Sequence, residues 1–269
     1  VTKKQIHAFQ KKVWDYYHAN GRDFAWRKTR NPYHIVVSEI MLQQTQTSRV
    51  TTKFDEFINA LPTFEALARA PQKKVLKLWQ GLGYNRRALA LHAIAKKVVK
   101  EHNGKLPRNQ EVLKTFPGIG EGTAGSICAF AFNKPTVFIE TNIRSVYLHE
   151  FFKRKSDVDD KELMPLIEET LDTNNTREWY FALMDYGVML KKKYKNPSTK
   201  SKHHTKQSPF LASNRRIRGL LVKEFLKGTF EEKKFSETFN IKKSLIRENL
   251  ETLEREKFLT KKRGKYILA

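Results

Sequence analysis

At 269 residues, with 39% hydrophobic and 30% charged residues, the chain is long enough for one large or two medium domains and too apolar to be disordered. Its 52 lysines and arginines against 28 acidic residues leave a formal net charge of +24 and a pI of about 10.0, which favours a polyanionic partner over a uniformly basic solvated surface. One cysteine excludes an internal disulfide and a multi-cysteine metal site, and no apolar run is long enough to span a bilayer. The first residues have neither the apolar core nor the cleavage site of a signal peptide, so a cytoplasmic protein with no membrane partner is expected.

Residues 1–20 are predicted to form an amphipathic helix with Ile6, Phe9, Val13 and Tyr16–Tyr17 on one face. Gly21-Arg22-Asp23 ends it, and Phe24-Ala25-Trp26-Arg27 falls in a loop closing near Asn31-Pro32. Trp26 beside Arg27 reads either as a base-stacking pair or as a tryptophan packed on a helix end. Tyr33 to Ile58 is helical in two pieces. Glu39 sits in the first among Val36, Val37, Ile40, Met41 and Leu42, which cover most of the helical wheel. A carboxylate buried there is costly to ionise, so its pKa rises, as a general acid requires. The polar tract Gln43-Gln44-Thr45-Gln46 follows at once and suits hydrogen bonding to bases in a groove.

Two helices are predicted between Pro62 and His102, joined at Gly81-Leu82-Gly83-Tyr84-Asn85-Arg86-Arg87. Tyr84 on that glycine-flanked turn, followed by Arg86 and Arg87, reads either as a wedge between bases beside phosphate contacts from the two arginines or as an ordinary core tyrosine. Leu113 to Phe132 is a short helix, a break at Pro117-Gly118-Ile119-Gly120, and a second helix rich in small residues. Exposed amides around Gly118 and Gly120 beside a helix N-terminus suit a phosphate. Cys128, in the apolar context Ile127-Cys128-Ala129-Phe130, is expected to be a packing thiol. A turn at Asn133-Lys134-Pro135 leads to Glu140, and helices are predicted over 159–171 and 179–190.

After Met184-Asp185-Tyr186-Gly187-Val188-Met189 the composition changes. Residues 191–210 have many lysines and almost no apolar side chains, and read as a basic linker rather than a packed element. His203-His204 among lysines makes a poor metal site. Residues 211–269 read as three helices and a basic β-hairpin, the winged-helix pattern. The expected apolar face of its third helix is Leu245, Leu250, Leu253 and Phe258. Lys242, Lys243, Arg247, Lys261, Lys262 and Arg263 would face a nucleic-acid backbone, unless the module serves dimerisation or protein docking.

Ser38-Glu39-Ile40-Met41-Leu42-Gln43-Gln44-Thr45-Gln46, Gly81-Leu82-Gly83-Tyr84, Phe116-Pro117-Gly118-Ile119-Gly120 with Thr123-Ala124-Gly125, Asn142-Ile143-Arg144 and Met184-Asp185-Tyr186-Gly187 stand in that order. In this the chain resembles the helix-hairpin-helix DNA glycosylases, most closely the MutY-type adenine glycosylases, over about residues 5–190. The resemblance implies a mainly α, two-lobed glycosylase fold over 1–190; the linker at 191–210 and the winged helix at 211–269 follow from composition and pattern, and the winged helix stands where the family has a domain for sensing 8-oxoguanine. It implies a monomer that binds double-stranded DNA between lobes and flips a mispaired or damaged base into a pocket for base excision repair. Glu39 then corresponds to the general acid acting at N7 of the purine. Glu140 stands where the family has the aspartate that stabilises the sugar cation, and Asn142 supports it. Trp26, Arg27 and Phe181 would line the base pocket. Gln43, Gln44, Thr45, Tyr84 and Arg86 would probe the duplex. Gly118, Gly120, Gly122 and Thr123 would bind backbone phosphate, and the carbonyls of Lys114, Phe116 and Ile119 would hold a monovalent cation.

Four departures from the family shape the expectations. Glu140 replaces aspartate, moving a carboxylate by roughly 1 Å. Gly122 occupies the position of the lysine of bifunctional relatives, so a glycosylase without lyase chemistry is expected. The four cysteines of the family's iron–sulfur cluster are missing after Gly187, and Lys191, Lys192, Lys193 and Lys195 stand in that region, so no cofactor and direct phosphate contacts are expected. Phe181 stands where the family has a glutamine that bonds adenine. The expected activity is removal of adenine opposite guanine or 8-oxoguanine. The alternatives are a glycosylase for thymine or uracil opposite guanine, with Phe181 stacking on a pyrimidine, and a catalytically weak DNA-damage-binding protein.

Overall fold

Helix α1 (Lys3–Asn20) starts at a capping box in which the Thr2 and Gln5 side chains each accept from the other's backbone amide, and it ends at Gly21. In this computed structural model, which describes residues 1–194, 196–205, 213–228 and 230–269, the chain continues through a 3-10 turn at Ala25–Arg27. Next come α2 (Pro32–Leu42), α3 (Thr47–Ala60), α4 (Phe64–Arg69), α5 (Gln72–Leu78) and α6 (Arg86–His102). The hairpin helices are α7 (Gln110–Lys114) and α8 (Glu121–Phe132), followed by α9 (Thr141–Glu150), α10 (Asp160–Glu169) and α11 (Thr176–Lys193). A 3-10 turn at Pro197–Lys200 precedes α12 (Asn214–Lys227), α13 (Glu232–Phe239), α14 (Lys243–Arg255) and strands β1 (Leu259–Lys262) and β2 (Lys265–Leu268). The mainly α class expected from the sequence is therefore observed.

Two compact units divide the chain, and neither is a continuous segment. The first comprises 1–39 and 106–206, the second 40–105 and 207–269. The C-terminal module groups with residues 40–105. The reason is visible at Gln72, whose side chain donates to the Lys257 carbonyl at 3.0 Å, and at α5, which packs on α12.

The core of the first unit gathers Phe9 and Val13 from α1, Phe138, Tyr147 from α9, and Trp179, Tyr180 and Leu183 from α11. Helix α8 is built of small residues because Phe138 lies against it. A Cβ at Gly125 would be 2.7 Å from that of Phe138. The second unit is organised on α6, whose Leu91, Ile94, Ala95 and Val98 are buried. Ala70-Pro71 splits the region before it into two short helices, so 62–102 holds three helices where two were expected.

Residues 196–205 are not a linker. Asn196 caps the 3-10 turn by accepting from Ser198 N, Pro197 and Ser198 are buried, and the Ser198 and Ser145 hydroxyls lie 3.0 Å apart. Short polar side chains order this segment through local backbone bonds, which an apolar count does not register. Residues 195 and 206–210 of the expected linker lie outside the described residues. In the winged-helix module, α14 buries Ile246, Leu250 and Leu253, whereas Leu245 is 37% exposed, one position off the expected face. The hairpin turns through Arg263 and Gly264, both at positive φ, and pairs Leu259 with Leu268. No described helix is long and apolar enough to cross a membrane.

Candidate active site

Glu39 lies on α2, where Val36, Val37, Ile40 and Met41 are fully buried around it. Burial pushes its carboxyl up to about 7, opposed by the Ser126 hydroxyl and by Arg27 and reinforced by the negative charge of Glu140. Ser126, on α8, has its Oγ 2.5 Å from Glu39 Oε2 and 3.0 Å from the Thr123 carbonyl oxygen. One hydroxyl proton cannot serve both acceptors. When Glu39 is ionised, Ser126 donates to it. When Glu39 is protonated, its O–H can donate to Ser126, whose own proton then goes to Thr123. The pair therefore accommodates either state of the acid, and the raised pKa keeps the protonated form populated near neutral pH.

Glu140 is the N-cap of α9. Its Oε1 accepts from the amides of Asn142 and Ile143 at 2.8 and 2.9 Å, and its Oε2 accepts from Asn142 Nδ2 at 3.1 Å. A glutamate spends its extra methylene reaching around to the helix amides, where an aspartate caps more directly. Glu39, Glu140 and Asn142 all belong to the first unit.

Arg27 is held in a stack. Its guanidinium lies 4.5 Å from the Phe181 ring centroid and 5.2 Å from that of Phe24. Phe130 stacks on Phe181 at 4.7 Å, and Trp26 on Phe24 at 4.7 Å. Asp185 clamps Arg27 with two bonds of 2.8 Å and takes a third, of 2.6 Å, from Arg22. Burial opposes the charge on Asp185, but Arg27 and Arg22 override it and hold the carboxyl below its usual range.

Two sequence expectations change here. Phe181 is 5% exposed, with Phe130 stacked against its ring and Arg27 over it, so most of its ring is already covered by protein rather than open to a pyrimidine. Trp26 is also buried and stacks on Phe24. A cavity of about 480 Å³ beside Arg27 and Phe181 is lined by neither carboxylate. Asp185→Asn is expected to lower unfolding free energy by about 3–5 kcal/mol, because it leaves a buried guanidinium unbalanced. Urea denaturation of the variant checks this.

At the hairpin, Gly118 has φ +76°, and Gly120 caps α8 with open space where a side chain would stand. A Cβ at Gly122 would be 3.3 Å from the Ile139 carbonyl oxygen. Lys114, at the end of α7, pairs with Glu121 in the first turn of α8 at 2.7 Å, so the acidic residue nearest the helix end is neutralised. Phe116 O accepts from Ile119 N at 3.1 Å.

In the second unit Arg87, read in the sequence with Arg86 as a phosphate contact beside Tyr84, instead ties two loops together. Arg87 is buried and donates to the carbonyls of Ile40, Met41, Gln43, Leu82 and Gly83 and to Thr45 Oγ1. It thereby fixes the segment bearing Gln43, Gln44 and Thr45 to the turn bearing Tyr84. Gln44 and Tyr84 both hold positive φ, +53° and +47°. Tyr84 is half-buried. Arg215 of α12 lies over its ring at 5.1 Å and donates to its hydroxyl. Arg86 faces Glu256 at 3.7 Å.

Lys242, Lys243 and Arg263 are exposed, whereas Arg247 is bound to Glu232 at 2.9 Å and Lys261 lies over Tyr266 near Glu254. Lys192 and Lys193 are exposed at the end of α11, and Lys191 is half-buried. Of the residues sequence reasoning missed, Ser126 had a signal, being a hydroxyl in the buried middle of α8 between Gly125 and Ile127. Asp185 stood inside a motif but without a role. Arg87 reads in the sequence as a phosphate contact, and Arg215 had no signal.

The family model described as HhH-GPD superfamily base excision DNA repair protein matches residues 37–172, half of the chain. The chain belongs to this helix-hairpin-helix superfamily. It is 32% identical over 187 residues to the adenine DNA glycosylase of Buchnera aphidicola subsp. Baizongia pistaciae, covering 68% of this chain and 52% of that one. It is 28% identical over 194 residues to the thymine/uracil-DNA glycosylase of Methanothermobacter thermautotrophicus, covering 71% and 87%. The human adenine DNA glycosylase is 36% identical over 151 residues, 53% of this chain and 28% of that one. The chain thus spans about half or less of the length of these adenine glycosylases. Among solved structures, a thermostable thymine-DNA glycosylase superposes with a TM-score of 0.64 at 26% identity, covering 73% of this chain and 92% of that one. A non-covalent endonuclease III–DNA complex superposes at 0.57 with 18% identity over 79% and 92%, a likeness of fold alone.

Proposed function

We propose that the chain is a DNA glycosylase that hydrolyses the N-glycosidic bond of adenine opposite guanine or 8-oxoguanine in duplex DNA. The observation that carries this is the carboxyl pair of the first unit: Glu39, protonated near neutral pH beside Ser126, and Glu140, anchored on the N-terminus of α9. Protonated Glu39 gives its proton to N7 of the flipped purine. The bond between C1′ and N9 then breaks, adenine leaves neutral, and Glu140 stabilises the cationic sugar. Water adds at C1′ and its proton returns to the Glu39 carboxylate, leaving an abasic site. Gly122 provides no amine at the start of α8, which supports a monofunctional enzyme.

The exposed Lys192, Lys193, Lys242, Lys243 and Arg263, and the hairpin amides of Gly118, Gly120, Gly122 and Thr123, are the proposed phosphate contacts. Gln43, Gln44, Thr45, Tyr84 and Arg86 form the proposed duplex-probing set held by Arg87. Backbone oxygens of Lys114, Phe116 and Ile119 are hard donors of the kind that fits a monovalent cation, which would fix the hairpin loop at the phosphate. A cluster held by four thiolates does not fit this chain, because its one thiol, Cys128, is buried in α8.

A second reading, excision of thymine or uracil opposite guanine, is favoured by the relative that this chain spans for 87% of its length. The raised-pKa acid Glu39 favours the purine, whose N7 is a site for protonation. The test is release of base from a panel of duplexes carrying adenine opposite guanine or 8-oxoguanine, and thymine or uracil opposite guanine. Abasic product is read after alkaline cleavage. Adenine release supports the first reading and pyrimidine release the second. Borohydride trapping of a covalent complex on any of them would refute monofunctionality.

A further inference from the structure

Helix α11 approaches the start of α9 so closely that a Cβ at Gly187 would lie 2.4 Å from the Asn142 carbonyl oxygen. Four positions on, one turn further along the same face, stands Lys191. Its Nζ donates to Asn142 Oδ1 at 2.9 Å, while Asn142 Nδ2 donates to Glu140 Oε2 at 3.1 Å. Lys191 is half-buried, unlike Lys192 and Lys193, with which its sequence position groups it.

A side-chain amide has two ends that differ only in hydrogen bonding. An ammonium is donor-only and a carboxylate acceptor-only, so a lysine on one side and a glutamate on the other leave a single favourable orientation for the amide between them. With the lysine removed, only the Glu140 carboxylate still holds the Asn142 amide in this orientation, so the amide is freer to rotate away from it. Desolvation lowers the lysine pKa, the charge of Glu140 raises it, and Arg144 lowers it, placing the ammonium within reach of both charged groups.

We infer that Lys191 is a positioning residue of the active site, locking the Asn142 amide so that its NH2 group holds the Glu140 carboxylate. The inference rests on the glycosylase reading above and adds to it a residue that acts through Asn142 and Glu140 rather than on phosphate. It explains how Glu140, longer than the expected aspartate, is kept from swinging. Its Oε1 is fixed by two helix amides, and its Oε2 by an amide that is itself fixed by Lys191.

The test compares Lys191→Met and Lys191→Arg with the parent in the full chain. For Lys191→Met, the single-turnover rate constant of base release should fall about 10- to 100-fold. Its Kd for an uncleavable duplex should stay within about threefold, with an unchanged salt slope. Lys191→Arg should recover most of the rate. Loss of affinity with a shallower salt slope and an unaltered rate constant would make Lys191 a phosphate contact and overturn the inference, as would a Lys191→Met protein unchanged in both. Should the parent release no base from any duplex, the glycosylase reading fails, and the inference is decided by NMR. The Asn142 side-chain amide protons should exchange with water at least about tenfold faster in Lys191→Met than in the parent, and equal exchange would refute the inference.

Discussion

Glu39→Gln is expected to lose base release by a factor of about 10²–10⁴ and, above neutral pH, to unfold at a higher temperature than the parent. Both outcomes follow from one carboxyl. Glutamine fills the same volume and can still bond Ser126, but it has no proton of suitable acidity to give. The gain in stability follows from linkage. The folded-state pKa of Glu39 is raised to about 7, whereas an unfolded chain titrates it near 4.5. The contribution of this group to stability is therefore fully present below pH 4.5 and is lost as pH rises through 7, at a cost on the order of 3 kcal/mol. Glutamine does not ionise and escapes that cost. The advantage of Glu39→Gln in thermal unfolding should be near zero at pH 4, grow through pH 7 and level off above it. The same ionisation shapes the parent's activity. Single-turnover base release should fall about tenfold per pH unit above the Glu39 pKa, as the acid form disappears. A variant that is inactive but not stabilised at pH 8 would place Glu39 in water rather than among Val36, Ile40 and Met41.

Glu140→Asp is expected to slow base release by about 10-fold or more, although aspartate is the residue anticipated at this position. Oε1 of Glu140 is committed to the amides of Asn142 and Ile143, and Oε2 to the Asn142 side chain. Aspartate would keep the cap and withdraw the second oxygen by roughly 1 Å, which weakens its field at a developing cation. Thermal stability should change little, since aspartate is a favoured N-cap, whereas Glu140→Ala should cost about 1 kcal/mol. Single-turnover kinetics of Glu140→Asp on the preferred duplex, with melting curves for both variants, check this. A large gain in rate from Glu140→Asp would instead mark the parent as a weakened enzyme and favour a role in binding damaged DNA.

The acid stood out in the sequence because apolar neighbours cover most of its helical wheel, although Glu39 itself is half-buried rather than sealed from water, and the capping carboxylate because it sat just ahead of a helix. Their partners were not. Ser126 lies 87 positions from Glu39 and Asp185 lies 158 from Arg27, and no local pattern encodes such pairings. Phe181 was assigned to a base by its place in a motif. What occupies an aromatic face depends on tertiary neighbours, here Phe130 and Arg27. The segment at 196–205 misled in the opposite direction, since its order comes from the hydroxyls and amide of Asn196, Ser198 and Ser201 rather than from burial of apolar side chains. Regular elements with strong periodicity, such as α1 and α6, were placed within a few residues. Ala70-Pro71 was passed over because a helical pattern resumed on both sides of it.

The central claim is that Glu39 protonates the departing base, and the most direct measurement is single-turnover base release by the parent and by Glu39→Gln on an adenine-containing mispaired duplex at pH 6.5. The parent is expected to convert the bound duplex to abasic product, with Glu39→Gln binding the same duplex as tightly and releasing adenine at least about a hundredfold more slowly. Equal rates of release by the two proteins would contradict it.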